Sequence, residues 1–277
     1  MAADPLTAAI DAGTPLVVLS PHLDDAVLSC GALMAHAAGR TQVRVATFFT
    51  EGGCPPYTFS GRRYLQQTGQ PDAERLYRDR RAEDRDVLER LGVDWLHLGL
   101  TDGLFRRKPT ASGGHPGWVR RVLPEPAHVY PTYRLHVCTG RISRYDADTL
   151  GCVQALVEKL ASPPHTVLLA PSAVGAHVDH VLVRTAAELS GQPVAYYSDF
   201  PYNQRHCPDP AFVERNALVE VEWSRELTSK VALVRAYRSQ TDALFPGGRI
   251  PVVPEIYLLA PGERAGDDPV GGSRWLS

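Results

Sequence analysis

The chain lacks the marks of several large protein classes. No run of about 18 apolar residues occurs, so no membrane span is expected. The start, Met1-Ala2-Ala3-Asp4-Pro5, has no basic segment followed by an apolar one, so no signal peptide is expected. The five cysteines (30, 54, 138, 152 and 207) are odd in number and form no CxxC pair. That argues against a disulfide framework and against a thiolate zinc site. Free buried thiols in a reducing cytoplasm are expected instead, with cytoplasmic localisation. Net charge is −2, which points away from nucleic acid or an anionic membrane as partner. Lysine is scarce, found only at 108, 159 and 230, so arginine carries the basic charge, as GC-rich coding produces.

Familiar motifs are missing too. No GxGxxG follows a strand and no GxxxxGK[ST] occurs, so dinucleotide and P-loop sites have no support. GxSxG and HExxH are absent, which removes the serine-hydrolase elbow and the common metalloprotease helix. Internal repeats and low-complexity segments are also absent.

What is present is alternation of apolar runs with helical patterns over 277 residues. Strands are predicted at 15–20, 43–49, 94–98, 166–170, 193–198 and 255–260, with a possible edge strand at 218–221. Helices are predicted at 25–38, 73–91, 147–160, 178–189 and 224–238. Residues 51–70 and 199–210 read as loops, 105–145 as an insertion capping the site, and 261–277 as a loose tail. Such alternation implies an α/β fold with a mostly parallel sheet covered on both faces. No Pro/Gly/Ser linker divides it, so one domain over 1–277 is expected.

Two clusters carry chemistry. Ser20-Pro21-His22-Leu23-Asp24-Asp25 joins the first strand to its helix, and Gly175-Ala176-His177-Val178-Asp179-His180 does so after the fourth. His177 and His180, three apart on a first helical turn, share a face. Both clusters sit at strand C-termini, which in a parallel sheet lie on one edge, so they can meet. Three ligands drawn from His22, Asp25, His177 and His180 would make an open zinc site with a position left for water. Singly, each residue has a plainer role: a histidine that caps a helix, Asp25 as N-cap, Asp24 in a turn. HxDD and HxDH together favour the metal.

These two motifs resemble those of the LmbE-like (PIG-L) N-deacetylases, zinc-dependent Rossmann-like enzymes that remove acetyl from N-acetylglucosaminyl groups on glycoconjugates. Arg80-Arg81-Ala82-Glu83 is similar to the family's RxxE helix, and Gly99-Leu100-Thr101-Asp102-Gly103 to its GxxD(S/G)G turn. Tyr237-Arg238-Ser239-Gln240 is similar to a late helix with an SQ pair. The resemblance implies that His22, Asp25 and His180 bind one zinc, Asp24 is the general base, and His177 stabilises the oxyanion or protonates the leaving amine. It also implies that Arg80 contacts substrate and that Asp102 orients a site histidine or helps bind substrate. The expected partner is a small-molecule glycoconjugate, with the antibiotic sugars of glycopeptide type as one branch.

Departures from the family pattern are Leu23 in place of Pro, Ala26 in place of Glu, and Gly175 where some members carry Tyr. Tyr57, Tyr64, Tyr130 and Tyr133 are the candidates to supply a missing tyrosine.

The chemistry agrees with these roles. Amide hydrolysis needs an acidified water, a carboxylate to take its proton, a donor for the oxyanion and an acid for the amine. Two other readings are a metal-dependent hydrolase of another amide or a phosphoester, and a non-catalytic metal-binding module. Phosphoester hydrolysis usually employs two metals, and one His/Asp/His set argues for a single ion. Structural zinc is usually four-ligand and closed.

Overall fold

The structure is a computed structural model that describes residues 4–109, 123–162 and 166–261. The expected tail lies almost wholly outside the described residues, as does the middle of the expected insertion. Among the described residues, seven strands form one sheet in the order β3-β2-β1-β4-β5-β7-β6. These are β1 Leu16–Ser20, β2 Val43–Glu51, β3 Asp94–Thr101, β4 Val167–Pro171, β5 Val194–Tyr197, β6 Val219–Trp223 and β7 Glu255–Leu259. The first five run parallel, and β7 and β6 are antiparallel additions at one side. The strand expected at 218–221 is indeed at the sheet edge, as β6.

β1 is central. It pairs with β2 through Leu16–Val43 and with β4 through Leu16–Val167. The chain winds outward from β1 to β3, then crosses back to β4 and winds the other way. The gap between β1 and β4 is therefore the topological switch point, where the crevice of an open α/β sheet lies. That is why the HxDD and HxDH turns, which follow these two strands, face each other.

The helices are α1 Pro5–Asp11, α2 Asp25–Ala37, α3 Phe59–Gln67, α4 Ala73–Leu91, α5 Ala147–Leu160, α6 Val178–Leu189, α7 Pro210–Arg215, α8 Leu227–Val234 and α9 Arg238–Leu244. β1 is apolar from Leu16 to Leu19 because both its faces are buried. Leu16 and Val18 pack with α1, α2, α4 and α8, whereas Val17 and Leu19 pack with α5, α6 and α7. Each such buried Val or Leu contributes about 1.5–3 kcal/mol. Helix α4 starts on the Asp72 side chain and stops at Gly92, whose φ of 75° a glycine adopts without strain. Among the described residues, no helix is long and apolar enough to cross a membrane.

Three expectations need correction. Residues 51–70 are not all loop: β2 runs to Glu51, and α3 forms with Thr58 accepting from the Gly61 N–H. Gly61, a poor helix former, is there because Phe105 would lie 3.2 Å from a Cβ. The helix expected at 224–238 is two, α8 and α9, separated at Tyr237. The Tyr237 hydroxyl donates to Asp84 at 2.7 Å, and the Ser239 N–H donates to Glu83 at 3.1 Å in place of a helical carbonyl. Finally, only Cys30 is a buried thiol; Cys54, Cys152 and Cys207 are exposed and Cys138 is half-buried.

Candidate active site

All seven residues named from the sequence line one cavity of about 190 Å³: His22, Asp24, Asp25, Arg80, Asp102, His177 and His180. It opens at the carboxyl edge of the sheet. His22 to Asp25 follow β1, Asp102 follows β3, and His177 to His180 follow β4.

The first turn is shaped by its own polar atoms. The Ser20 hydroxyl donates to the His22 carbonyl at 2.7 Å and accepts from the Ala26 N–H at 3.1 Å. Asp25 Oδ2 accepts from the His22 N–H at 2.9 Å. Gln240, from α9, donates to the Leu23 carbonyl at 2.7 Å and pins the turn from the other side.

Asp25 Oδ2 lies 3.2 Å from His22 Nδ1 and 3.2 Å from His180 Nε2. One ring nitrogen from each of His22, His177 and His180 also lies within 4.8 Å of the others. The second partner of each ring separates these residues. His180 Nδ1 donates to Asp199 Oδ1 at 2.6 Å, so in the neutral ring that a metal ion would require, Nε2, beside Asp25, is the nitrogen without a proton. His22 Nε2 lies 3.1 Å from Asp179 Oδ2 and 3.5 Å from Asp102 Oδ2, so in the neutral ring Nδ1 is the nitrogen without a proton. His177 is reversed. Its Nδ1 accepts the Asp179 N–H at 3.3 Å as the N-cap of α6, so the proton of the neutral ring is on Nε2.

Charge is balanced by these contacts. Burial works to lower the pKa of His180, but Asp25 and Asp199 outweigh it and raise it to about 10. His22 is likewise held well above its usual value by Asp179, Asp25 and Asp102 against the effect of burial. Burial and the His22 charge push His177 down to about 4. Burial and the neighbouring Asp25 push Asp24 up to about 7, with Arg80 pulling the other way.

Arg80 is buried on α4, its guanidinium 5.6 Å from the Tyr64 ring centroid and 6.0 Å from that of Tyr77. Its buried Nε meets no hydrogen-bond partner among the described residues. Asp102 accepts from Tyr77 Oη at 2.5 Å and from the Leu104 N–H at 2.7 Å. Of the tyrosines considered, Tyr64 and Tyr133 line the cavity, and Tyr202 joins them against Gly175. Tyr57 and Tyr130 do not; their hydroxyls accept from the Ala73 and Ser143 N–H groups. These three lining tyrosines come from segments 51–70, 105–145 and 199–210.

Sequence reasoning assigned no role to Asp179, Asp199, Arg106 or Tyr202. Asp199 did leave a signal: an acid just after the fifth parallel strand, on the edge where the histidines lie. Arg106 left none.

An open parallel sheet whose carboxyl edge gathers imidazoles and carboxylates is a site of the class that can hold a metal ion for hydrolysis. The family model for PIG-L, described as GlcNAc-PI de-N-acetylase, matches residues 17–189, and the chain belongs to this family. Among its relatives is 2′-N-acetylparomamine deacetylase of Streptomyces fradiae, 30% identical over 239 residues, covering 82% of this chain and 73% of that one. The solved structure of the zinc-inhibited form of teicoplanin deacetylase matches with a TM-score of 0.68 at 23% identity, over 92% of this chain and all of the other (100%). A deacetylase–teicoplanin complex matches with a TM-score of 0.66 at 25% identity, over 89% and 98% of the two chains.

Proposed function

We propose that this protein is a zinc-dependent N-deacetylase that hydrolyses the acetamide of an N-acetyl amino sugar, GlcNAc-type, on a small glycoconjugate. The observation that carries this reading is the convergence of two imidazole nitrogens on one carboxylate oxygen. His22 Nδ1 and His180 Nε2 each lie 3.2 Å from Asp25 Oδ2. Neighbouring ligands around one tetrahedral zinc, with bonds of about 2.0–2.1 Å, stand about 3.3 Å apart. Both spacings to Asp25 match that distance, and His22, Asp25 and His180 would hold the ion. His177 is set apart from the ligands by its tautomer.

Zinc, when bound, supplies a Lewis acid that acidifies water and polarises the amide carbonyl. The chain's own residues supply the rest. Asp24 lines the cavity beside the ligand Asp25 and takes the proton of the attacking water. His177 Nε2–H donates to the carbonyl oxygen as negative charge develops there. The proton that Asp24 has accepted then passes to the departing nitrogen, giving acetate and a free amine. Of the two roles open to His177, this favours oxyanion donor, because a neutral imidazole is a poor acid. Arg80 lines the cavity and offers its guanidinium to a sugar oxygen.

The cavity is smaller than the roughly 300–1,000 Å³ of drug-sized pockets and suits one sugar ring. Relatives named for N-acetylparomamine and teicoplanin support an acetylated amino sugar on an antibiotic conjugate. A panel of N-acetyl amino-sugar conjugates, assayed for free amine, tests the reading. Activity should stop on chelation, return with zinc at one ion per chain, and vanish with metal content in His22→Ala. Two ions per chain, or full activity without metal, would refute it.

A further inference from the structure

Behind His22 stands a buried chain of charges that the reaction does not use directly. Arg106 lies just past the turn that holds Asp102 and is 6% exposed. Its Nη1 donates to Asp146 at 2.6 Å, its Nη2 to Asp179 Oδ1, and its Nε to the Thr101 carbonyl at 3.0 Å. Its guanidinium also lies 4.7 Å from the Phe49 ring centroid. Asp146 and Asp179 are both fully buried. The second oxygen of Asp179 accepts the Gly103 N–H at 2.8 Å and faces His22 Nε2 at 3.1 Å.

We propose that Arg106 is a positioning residue that aims Asp179 at His22 and so fixes the ring nitrogen His22 presents to the metal. The geometry is specific to arginine. Its planar fork reaches two carboxylates and a carbonyl at once, which a lysine ammonium on a single stem cannot do. Among the described residues, the cationic side chains against Asp179 are Arg106 and the site histidines, so without Arg106 its carboxylate keeps the Gly103 N–H and His22 itself to fix its direction.

The contact also joins distant parts of the chain. Arg106 stands at the start of segment 105–145 and Asp146 just after its end, and Tyr133 and Cys138 from that segment wall the cavity. One guanidinium thus ties the base of the substrate wall to the residue behind a metal ligand.

The inference rests on the metal reading above. It is tested by zinc titration of the chelated protein against a chromogenic competitor, in wild type, Arg106→Lys, Asp146→Asn and His97→Gln. His97→Gln removes a part-buried imidazole–carboxylate contact, His97 with Asp84 at 2.8 Å, that does not reach His22. Loss of an outer partner of a metal ligand typically lowers affinity about 10–100-fold. Arg106→Lys should fall in that range, Asp146→Asn should fall less but in the same direction, and His97→Gln should stay within about twofold of wild type. If Arg106→Lys does not fold, Asp146→Asn reads the same question. Folded Arg106→Lys, or failing it Asp146→Asn, with wild-type zinc affinity overturns the inference while leaving the metal reading intact. An equal loss in His97→Gln overturns it as well, since general loosening would then explain the effect. A wild-type chain that takes up no zinc overturns both.

Discussion

Asp199→Asn tests the tautomer logic on which the mechanism rests. Asp199 is 1% exposed and serves three donors: Oδ1 accepts from His180 Nδ1 at 2.6 Å, while Oδ2 accepts from the Val174 N–H at 2.8 Å and the Ser172 hydroxyl at 3.1 Å. An asparagine in the same pose has one acceptor oxygen where three donors need two. If that oxygen stays on Val174 and Ser172, the amide NH₂ faces His180 Nδ1 and drives the ring proton to Nε2, removing the lone pair beside Asp25. If it turns to His180, the NH₂ meets the Val174 N–H, and a buried donor is left unsatisfied at about 1–3 kcal/mol. By the first route, zinc affinity falls about 10–100-fold, which is about 1.4–2.8 kcal/mol. By the second, affinity is kept and stability is lost. The assay is therefore paired: zinc competition on the chelated protein, and urea unfolding of the same sample. One of the two readouts must move by at least about 1 kcal/mol. If both match wild type, Asp199 does not set the proton position of His180, and the assignment of Nε2 as the ligand atom loses its basis.

Asp24→Asn should keep zinc affinity but lower kcat about 10²–10⁴-fold, measured by amine release, because the proton acceptor is gone and the ligands are not. The pH profile should show the same group. As the proposed base Asp24 works as the anion, and burial with Asp25 pushes its carboxyl up to about 7, so kcat/KM should fall as pH drops through its acid limb. Arg80 pulls that value down, so Arg80→Met should move the limb to higher pH; a shift to lower pH refutes the assignment. Glu255→Ala should destabilise by about 3–5 kcal/mol in urea unfolding, since Lys230, 3.2 Å away and 4% exposed, would be left as a buried charge without its partner. Lys230→Met in the same background should recover part of that loss.

Most of the fold was legible because its signals are local. β1 and β4 read as uninterrupted apolar runs since both faces of a parallel sheet are covered, and α4 announced its end by Gly92. The elements misread were those ruled by distant partners. α3 carries a glycine that only contact with Phe105 explains, and the break between α8 and α9 answers to Glu83 and Asp84, more than 150 positions earlier in the chain. The site divides in the same way. Strand, turn and helix are contiguous, so the placing of His22, Asp24, Asp25, His177 and His180 at one sheet edge follows from the sequence alone, as does the chemistry such groups can do.

Which nitrogen of each histidine is free was decided only in three dimensions. The two carboxylates that decide it, Asp179 for His22 and Asp199 for His180, lie 157 and 19 positions away. A proton settles where the nearest acceptor stands in space, and no pattern in the chain records that distance.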